Sequence, residues 1–224
     1  MAQGKRQLAP DGYTFLVGRA HIFSFGTFAL IVAAGCSNKE EPKAMPGWSL
    51  TSASGITIQF PSELKVSDLS SGDVDEIRKR TKDQFSKSPE MQKLIEGLVA
   101  NGSMKLVGMM PNSASQPMPN SFNLVVQPAA SSVTAVQLIE PNRAKMKAAA
   151  ISGTLTVELR DYKAGQCAYF EFDTASGLAA HSQISYMFVK GGSQYVFTFS
   201  CPVSEKPKWS SVAETAIKTM QIGS

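Results

Sequence analysis

The sequence predicts an α+β fold: an antiparallel sheet of about six to eight strands with helices packed on its faces. Three observations carry that prediction. Residues 154–200 hold four segments of alternating or continuous apolar character joined by turns. One joint, Gly191-Gly192, is a two-residue hairpin loop in which both positions can take positive φ. The segment 182–190 is apolar on both sides, with Ile184, Tyr186 and Phe188 on one and Met187 and Val189 on the other, so the sheet is covered on both faces.

The elements follow in chain order. Residues 48–52 and 56–60 are short strands around Ala53-Ser54-Gly55, and Pro61 ends the second. Residues 73–87 are a charged helix with Asp73, Asp75 and Glu76 in its first turn, where they oppose the positive end of the dipole. Ser88-Pro89 restarts a helix, and Met91, Leu94, Ile95, Leu98 and Val99 form its apolar face until Asn101-Gly102 stops it. Residues 105–109 and 122–127 are strands separated by a proline-rich loop, 111–120. Residues 133–150 have helical composition, and Pro141 places the regular part from itself onward, after a separate turn. Residues 154–160 alternate, with Leu155, Val157 and Leu159 on one face, and 166–173, 182–190 and 193–200 are three further strands. Residues 161–165 and 174–180 are looser turns. Trp209, Val212, Ala213, Ala216, Ile217 and Met220 mark a closing helix with one apolar stripe.

The N-terminal segment reads as an address. Lys5, Arg6 and Arg19 face one acid, Asp11, and Ile22–Ala34 is an uncharged run of thirteen residues, shorter than the roughly 20 a bilayer span needs. Ala33-Ala34-Gly35-Cys36 follows and resembles the lipobox of bacterial lipoproteins, with Ala33 where most have leucine. The resemblance implies cleavage between Gly35 and Cys36, diacylglycerol on the Cys36 thiol and a fatty acyl group on its new amine, two or three chains being enough to hold a protein on a membrane. The expected organisation is a signal peptide over 1–35, a lipidated tether over 36–47, and one globular domain over 48–222. The positive region is long, and a start at Val17 would leave a compact leader. Losing residues 1–35 removes three bases and one acid, so the net charge falls from +4 to +2 and His181 is the one histidine left.

Composition excludes much. With 43% hydrophobic and 18% charged residues the chain can build a core, which rules out wholesale disorder. Three cysteines and two histidines cannot make a zinc ribbon, an iron–sulfur cluster or a disulfide-dense scaffold, and no metal site or other cofactor is expected. The charge is too small and too mixed for a dedicated nucleic-acid binder. No nucleophile elbow, zinc-binding helix, phosphate loop or calcium loop is present, so no catalytic residues are assigned and the protein is read as a non-enzyme.

Four features remain to be placed. His181 has a functional reading as a pH-sensitive or ligand contact and a plain one as an exposed strand-end histidine. Arg78, Lys79, Arg80 and Lys82 suit anionic lipid or an acidic partner, or a solvated helix face. Met109-Met110 and the following prolines have a functional reading as the lining of a binding edge and a plain one as strand end and loop. Cys167 and Cys201 sit in a compartment that permits disulfides, but hairpin register places Cys201 level with residue 173, roughly 20 Å along the sheet from Cys167 at about 3.3 Å per residue. A bridge needs Cα atoms within about 7 Å, so both thiols are expected to be free.

Ile58-Gln59-Phe60-Pro61, the segment Asn120-Ser121-Phe122-Asn123-Leu124-Val125-Val126, and a four-strand meander with a closing helix together resemble the Mog/PsbP-like fold. Gly165 before Ala168-Tyr169-Phe170-Glu171-Phe172, then Ser185 to Phe199 around Lys190-Gly191-Gly192-Ser193, is the best match, and it resembles the branch that includes the DcrB-type periplasmic lipoproteins. Over 48–222 the resemblance implies a non-enzymatic α/β/α sandwich used for binding or assembly, and it supplies no catalytic residues.

The resulting expectation is a lipoprotein of the bacterial cell envelope, at the periplasmic face of the outer membrane in a Gram-negative source, bound to the membrane through Cys36 and acting on a protein partner whose contact residues the sequence does not name. The alternative is a small-molecule or lipid carrier, which needs an apolar cavity of several hundred cubic ångströms between sheet and helices. A hydrolase, the third reading, needs a cleft with convergent titratable groups.

Overall fold

A computed structural model describes residues 43–69, 96–111, 119–176 and 179–223. The lipobox, the 73–87 helix and the basic group Arg78, Lys79, Arg80 and Lys82 lie outside the described residues. Of the second expected helix, residues 96–100 are described and helical.

Among the described residues ten strands and two long helices follow one another as β1 Trp48–Ala53, β2 Ile56–Pro61, β3 Lys65–Asp68, β4 Met104–Met109, β5 Ser121–Pro128, α1 Ala135–Ala149, β6 Thr156–Tyr162, β7 Gly165–Ser176, β8 Ala179–Lys190, β9 Ser193–Pro202, α2 Lys206–Thr219 and β10 Gln221–Ile222. Seven of the strands form one antiparallel sheet in the order β3-β4-β5-β9-β8-β7-β6, and β1, β2 and β10 form a second, three-stranded one. The α+β class is therefore as expected. The two N-terminal strands form a layer of their own, completed by β10, which the sequence did not signal; nor did it signal β3.

The large sheet is covered on both faces. On one face α2 and the small sheet meet it, and Ile56, Ile58 and Phe60 of β2 pack with Leu106, Phe122, Leu124, Phe197 and Phe199 and with Trp209, Ala213 and Ile217 of α2. The rings interlock: Phe60 stacks on Phe122 at 4.2 Å between centroids, Phe122 on Phe199 at 5.8 Å, and Trp209 meets Phe199 edge-on at 6.3 Å. Each such side chain, buried from water, contributes about 1.5–3 kcal/mol. On the other face α1 packs Leu138 against Ala168, Phe170 and Met187.

The hairpins bear out the expected register. Gly191 and Gly192 have φ of 58° and 74°, and Lys190 pairs with Ser193. Cys167 faces Phe188, Ser182 faces Cys201, and Asp173 faces Ser182. Both cysteines are buried and free.

Four expectations need correction. The helix over 133–150 does not begin regularly at Pro141; it runs from Ala135 with Pro141 inside it. Proline removes one backbone donor, but Leu138, three residues before it, is anchored in the sheet, and the Asn142 side chain donates to the Leu138 carbonyl at 2.7 Å. The start of the hairpin shows a second difference. The Ile151 N–H donates to the Asp173 carbonyl at 2.7 Å and the Asp173 N–H donates to Thr154 Oγ1 at 3.1 Å, so regular pairing begins only at Thr156. The segments read as looser turns are mostly strand: Tyr162 pairs with Gly165 and Ser176 with Ala179, because a two-residue connection extends each ladder. Finally, Leu159 is not part of a buried face. It is 40% exposed because β6 is the outermost strand.

Candidate functional site

Side chains at alternate positions of a strand share a face. Glu158, Arg160 and Tyr162 of β6, Tyr169, Glu171 and Asp173 of β7, and Ser182 and Tyr186 of β8 therefore rise from the same face of the sheet, the one α2 covers. Helix α2 forms because Pro207 suits its first turn and Trp209, Ala213, Ala216 and Ile217 recur on one side. That spacing brings Glu214 and Lys206 over the sheet.

The charged groups join in a continuous chain. Glu214 Oε2 accepts from the Tyr162 hydroxyl at 2.8 Å, from the Tyr186 hydroxyl at 3.2 Å and from Arg160 at 3.2 Å. Its Oε1 pairs with Lys218 at 3.4 Å. Arg160 also pairs with Glu158 at 2.7 Å, and its guanidinium lies 3.4 Å above the centre of the Tyr169 ring. The Tyr169 hydroxyl donates to Glu171, Glu171 pairs with Lys206 at 2.9 Å, and Lys206 reaches Asp173 at 3.2 Å. The Ser182 hydroxyl completes the chain on Asp173 at 2.6 Å. Around its outer end Arg160, Asp161, Tyr162, Lys163, Glu214 and Lys218 line an open cleft of about 460 Å³.

The electrostatics favour the ionised forms of Glu214 and Arg160 and the neutral forms of the three tyrosines. Burial raises the carboxyl pKa of Glu214, but bonds from Tyr162 and Lys218 and the charge of Arg160 outweigh it and hold the group below its usual range. Burial also opposes the charge of Arg160, and its bonds to Glu158 and Tyr162 more than restore it. Burial first, then the neighbouring carboxylates and phenols, lifts Tyr162, Tyr169 and Tyr186 well above the ordinary phenol value, so they remain donors. Burial pushes the thiols of Cys167 and Cys201 up to about 12, which leaves neither as a thiolate at neutral pH. Polar groups that pair with one another hold each other in fixed positions.

His181 corrects another expectation. It is 4% exposed, not exposed, because β8 starts at Ala179 and places it inside the ladder between Thr174 and Pro202. Its Nε2 lies 3.3 Å from the side-chain nitrogen of Gln183. Register sets Gln183 and Ser185 on the α1 face beside Thr198 and Ser200 of β9 and Ser121 and Asn123 of β5. This uncharged polar patch on three central strands was hidden in the sequence behind the apolar residues alternating with it. Met109 is half-buried at a strand end and Met110 is buried. Among the described residues no group of three or more His, Cys, Asp or Glu side chains could hold a metal ion. Among the same residues no helix is long and apolar enough to cross a membrane.

Fold and cleft together define an α+β domain with one internally paired, polar face. No protein-family model matches the chain, and no curated protein does. Solved structures match at low identity. The solution structure of cyanobacterial PsbP (CyanoP) from Synechocystis sp. PCC 6803 has 10% identity and a TM-score of 0.49, covering 80% of this chain and 94% of that one. The crystal structure of LpqN, involved in cell envelope biogenesis of Mycobacterium tuberculosis, has 9% identity and a TM-score of 0.47 over 80% of this chain and 87% of that one. A crystal structure from Bacteroides thetaiotaomicron VPI-5482 has 12% identity and a TM-score of 0.43; the match spans 76% of this chain and 46% of that one. These likenesses concern the arrangement of strands and helices, and neither activity nor partner transfers with them.

Proposed function

We propose that the protein is a lipoprotein of the bacterial cell envelope, anchored through Cys36, whose domain over 48–222 binds a protein partner and catalyses no reaction. The observation that carries the anchor is the order of the leader: positive residues, the apolar run Ile22–Ala34, then Ala33-Ala34-Gly35-Cys36 at its end. The binding role is supported by the cleft, where Arg160, Tyr162 and Glu214 satisfy one another and offer a preorganised polar surface. A carrier role draws no support from the space between the large sheet and α2, since aromatic rings fill it.

Metabolic labelling with a clickable palmitate analogue tests the anchor. The wild-type chain takes up label and fractionates with membranes, and Cys36→Ser does neither; label retained by that variant refutes lipidation at Cys36. N-terminal mapping of the unprocessed variant locates its start, and an end at Met1 excludes a start at Val17. Photo-cross-linking from position 163 in the intact protein tests the binding role. A discrete protein adduct supports it, and turnover of a substrate analogue at a rate abolished by Glu214→Gln overturns it.

A further inference from the structure

We propose that β6 is a self-pairing edge: two copies of the chain join antiparallel through it, about a two-fold axis at Leu159, and merge their large sheets. The inference starts from exposure. Among the described residues strand β6 ends the sheet order, and at seven residues it is longer than the opposite edge strand, β3, which has four. An edge of that length carries a row of unpaired backbone groups and is a template for another strand.

The direction of those groups follows from the hairpin. The Asp173 backbone bonds toward residues 151 and 154, so in β7 the residues 165, 167, 169, 171 and 173 turn their N–H and C=O groups toward β6. Their partners Tyr162, Arg160, Glu158 and Thr156 are therefore satisfied within the chain. Val157, Leu159 and Asp161 turn their backbone groups outward.

The sequence of the strand then selects the occupant. Centred on Leu159, an antiparallel copy sets Leu159 opposite Leu159, Val157 opposite Asp161, and Glu158 opposite Arg160 twice over. The outward groups of 157, 159 and 161 meet in about six backbone hydrogen bonds. Opposite charges face each other across the joint on one side of the sheet, and the exposed leucine side chains meet on the other. Glu158 and Arg160 have half or less of their side-chain surface exposed, 47% and 30%, already paired with one another, and a second pair beside them closes an alternating square of four charges. A shift of one residue turns the wrong backbone groups inward, and a shift of two separates Glu158 from Arg160. Mirror-related charge of this kind fits a second copy of the same strand, the isologous contact of a two-fold dimer.

Cysteine cross-linking in cells producing the full chain tests the proposal. Leu159→Cys places two thiols at a hydrogen-bonded pair, with Cα atoms about 5.5 Å apart, within disulfide range. Mild oxidation yields a product of twice the chain's mass. Thr156→Cys places its two copies about 20 Å apart and yields none. Both positions are exposed, and neither substitution disturbs the core. Glu158→Arg, added to Leu159→Cys, sets like charges opposite one another and reduces the product about tenfold while the unfolding temperature stays within a few degrees. Equal cross-linking from positions 156 and 159, a product of any other mass, or no product from a folded Leu159→Cys chain overturns the proposal.

Discussion

The carboxylate of Glu214 on α2 accepts a hydrogen bond from the Tyr162 hydroxyl on β6 at 2.8 Å, which ties the closing helix to the outermost strand of the large sheet. The same carboxylate holds Tyr186 of β8 and Arg160 of β6, so one side chain bridges two strands and a helix. Its removal is felt at every one of these contacts.

Glu214→Gln keeps the shape and removes the charge. Unfolding in denaturant at neutral pH shows a loss of about 1–3 kcal/mol. The sign of the pH dependence follows from the lowered carboxyl pKa. A group held below its unfolded value contributes stability above that value and loses it as pH falls through the folded one. The difference between wild type and Glu214→Gln is therefore constant near neutrality and shrinks in acid. A difference that grows below pH 4 refutes the assignment.

Lys206 stands between Glu171 and Asp173 with 22% of its side chain exposed. Lys206→Met leaves two partly buried carboxylates facing each other and costs about 1–3 kcal/mol. Adding Glu171→Gln costs less than the sum of the two separate changes, because the like-charge repulsion is gone. Strict additivity contradicts the triad. Burial lowers the pKa of Lys206, but its bonds to both acids raise it further than burial lowers it, so its contribution is complete below the ordinary ammonium value and is lost only in strong alkali.

Gly108 of β4 faces Phe122 of β5. A Cβ there runs into the Phe122 ring, which is itself stacked on Phe60. Gly108→Ala therefore destabilises by about 1–3 kcal/mol in a melt or denaturant titration. A neutral effect shows that the stack can slide.

The Cys167 and Cys201 thiols, raised to about 12 by burial, react with a maleimide only on unfolding. In the Cys36→Ser variant, denatured without reductant, two thiols are titrated. A count of zero means that they are bridged.

The meander was legible in the sequence because its signals are local. Gly191-Gly192 sets a two-residue loop, the loop sets the register, and the register separates Cys167 from Cys201 by the distance that keeps both free. The stripe Trp209, Ala213, Ala216 and Ile217 was legible for the same reason, since one helix period reports one buried face. Pro141 misled because the backbone rule it breaks is local, whereas the anchoring of Leu138 that overrides it is not.

The site was not legible. Arg160, Tyr162, Tyr186 and Glu214 are spread over more than fifty residues and belong to no motif. By itself the sequence determined the antiparallel α+β class, the strand pairing within the C-terminal meander and the state of its two thiols, because alternation, turn chemistry and helix period act over a few residues. The tertiary structure alone decided which polar side chains meet, that β1, β2 and β10 stand as a second sheet, that His181 is buried, and that β6 is the outermost strand of the large sheet among the described residues. Those outcomes depend on how faces stack across the fold, and no neighbouring residues encode that.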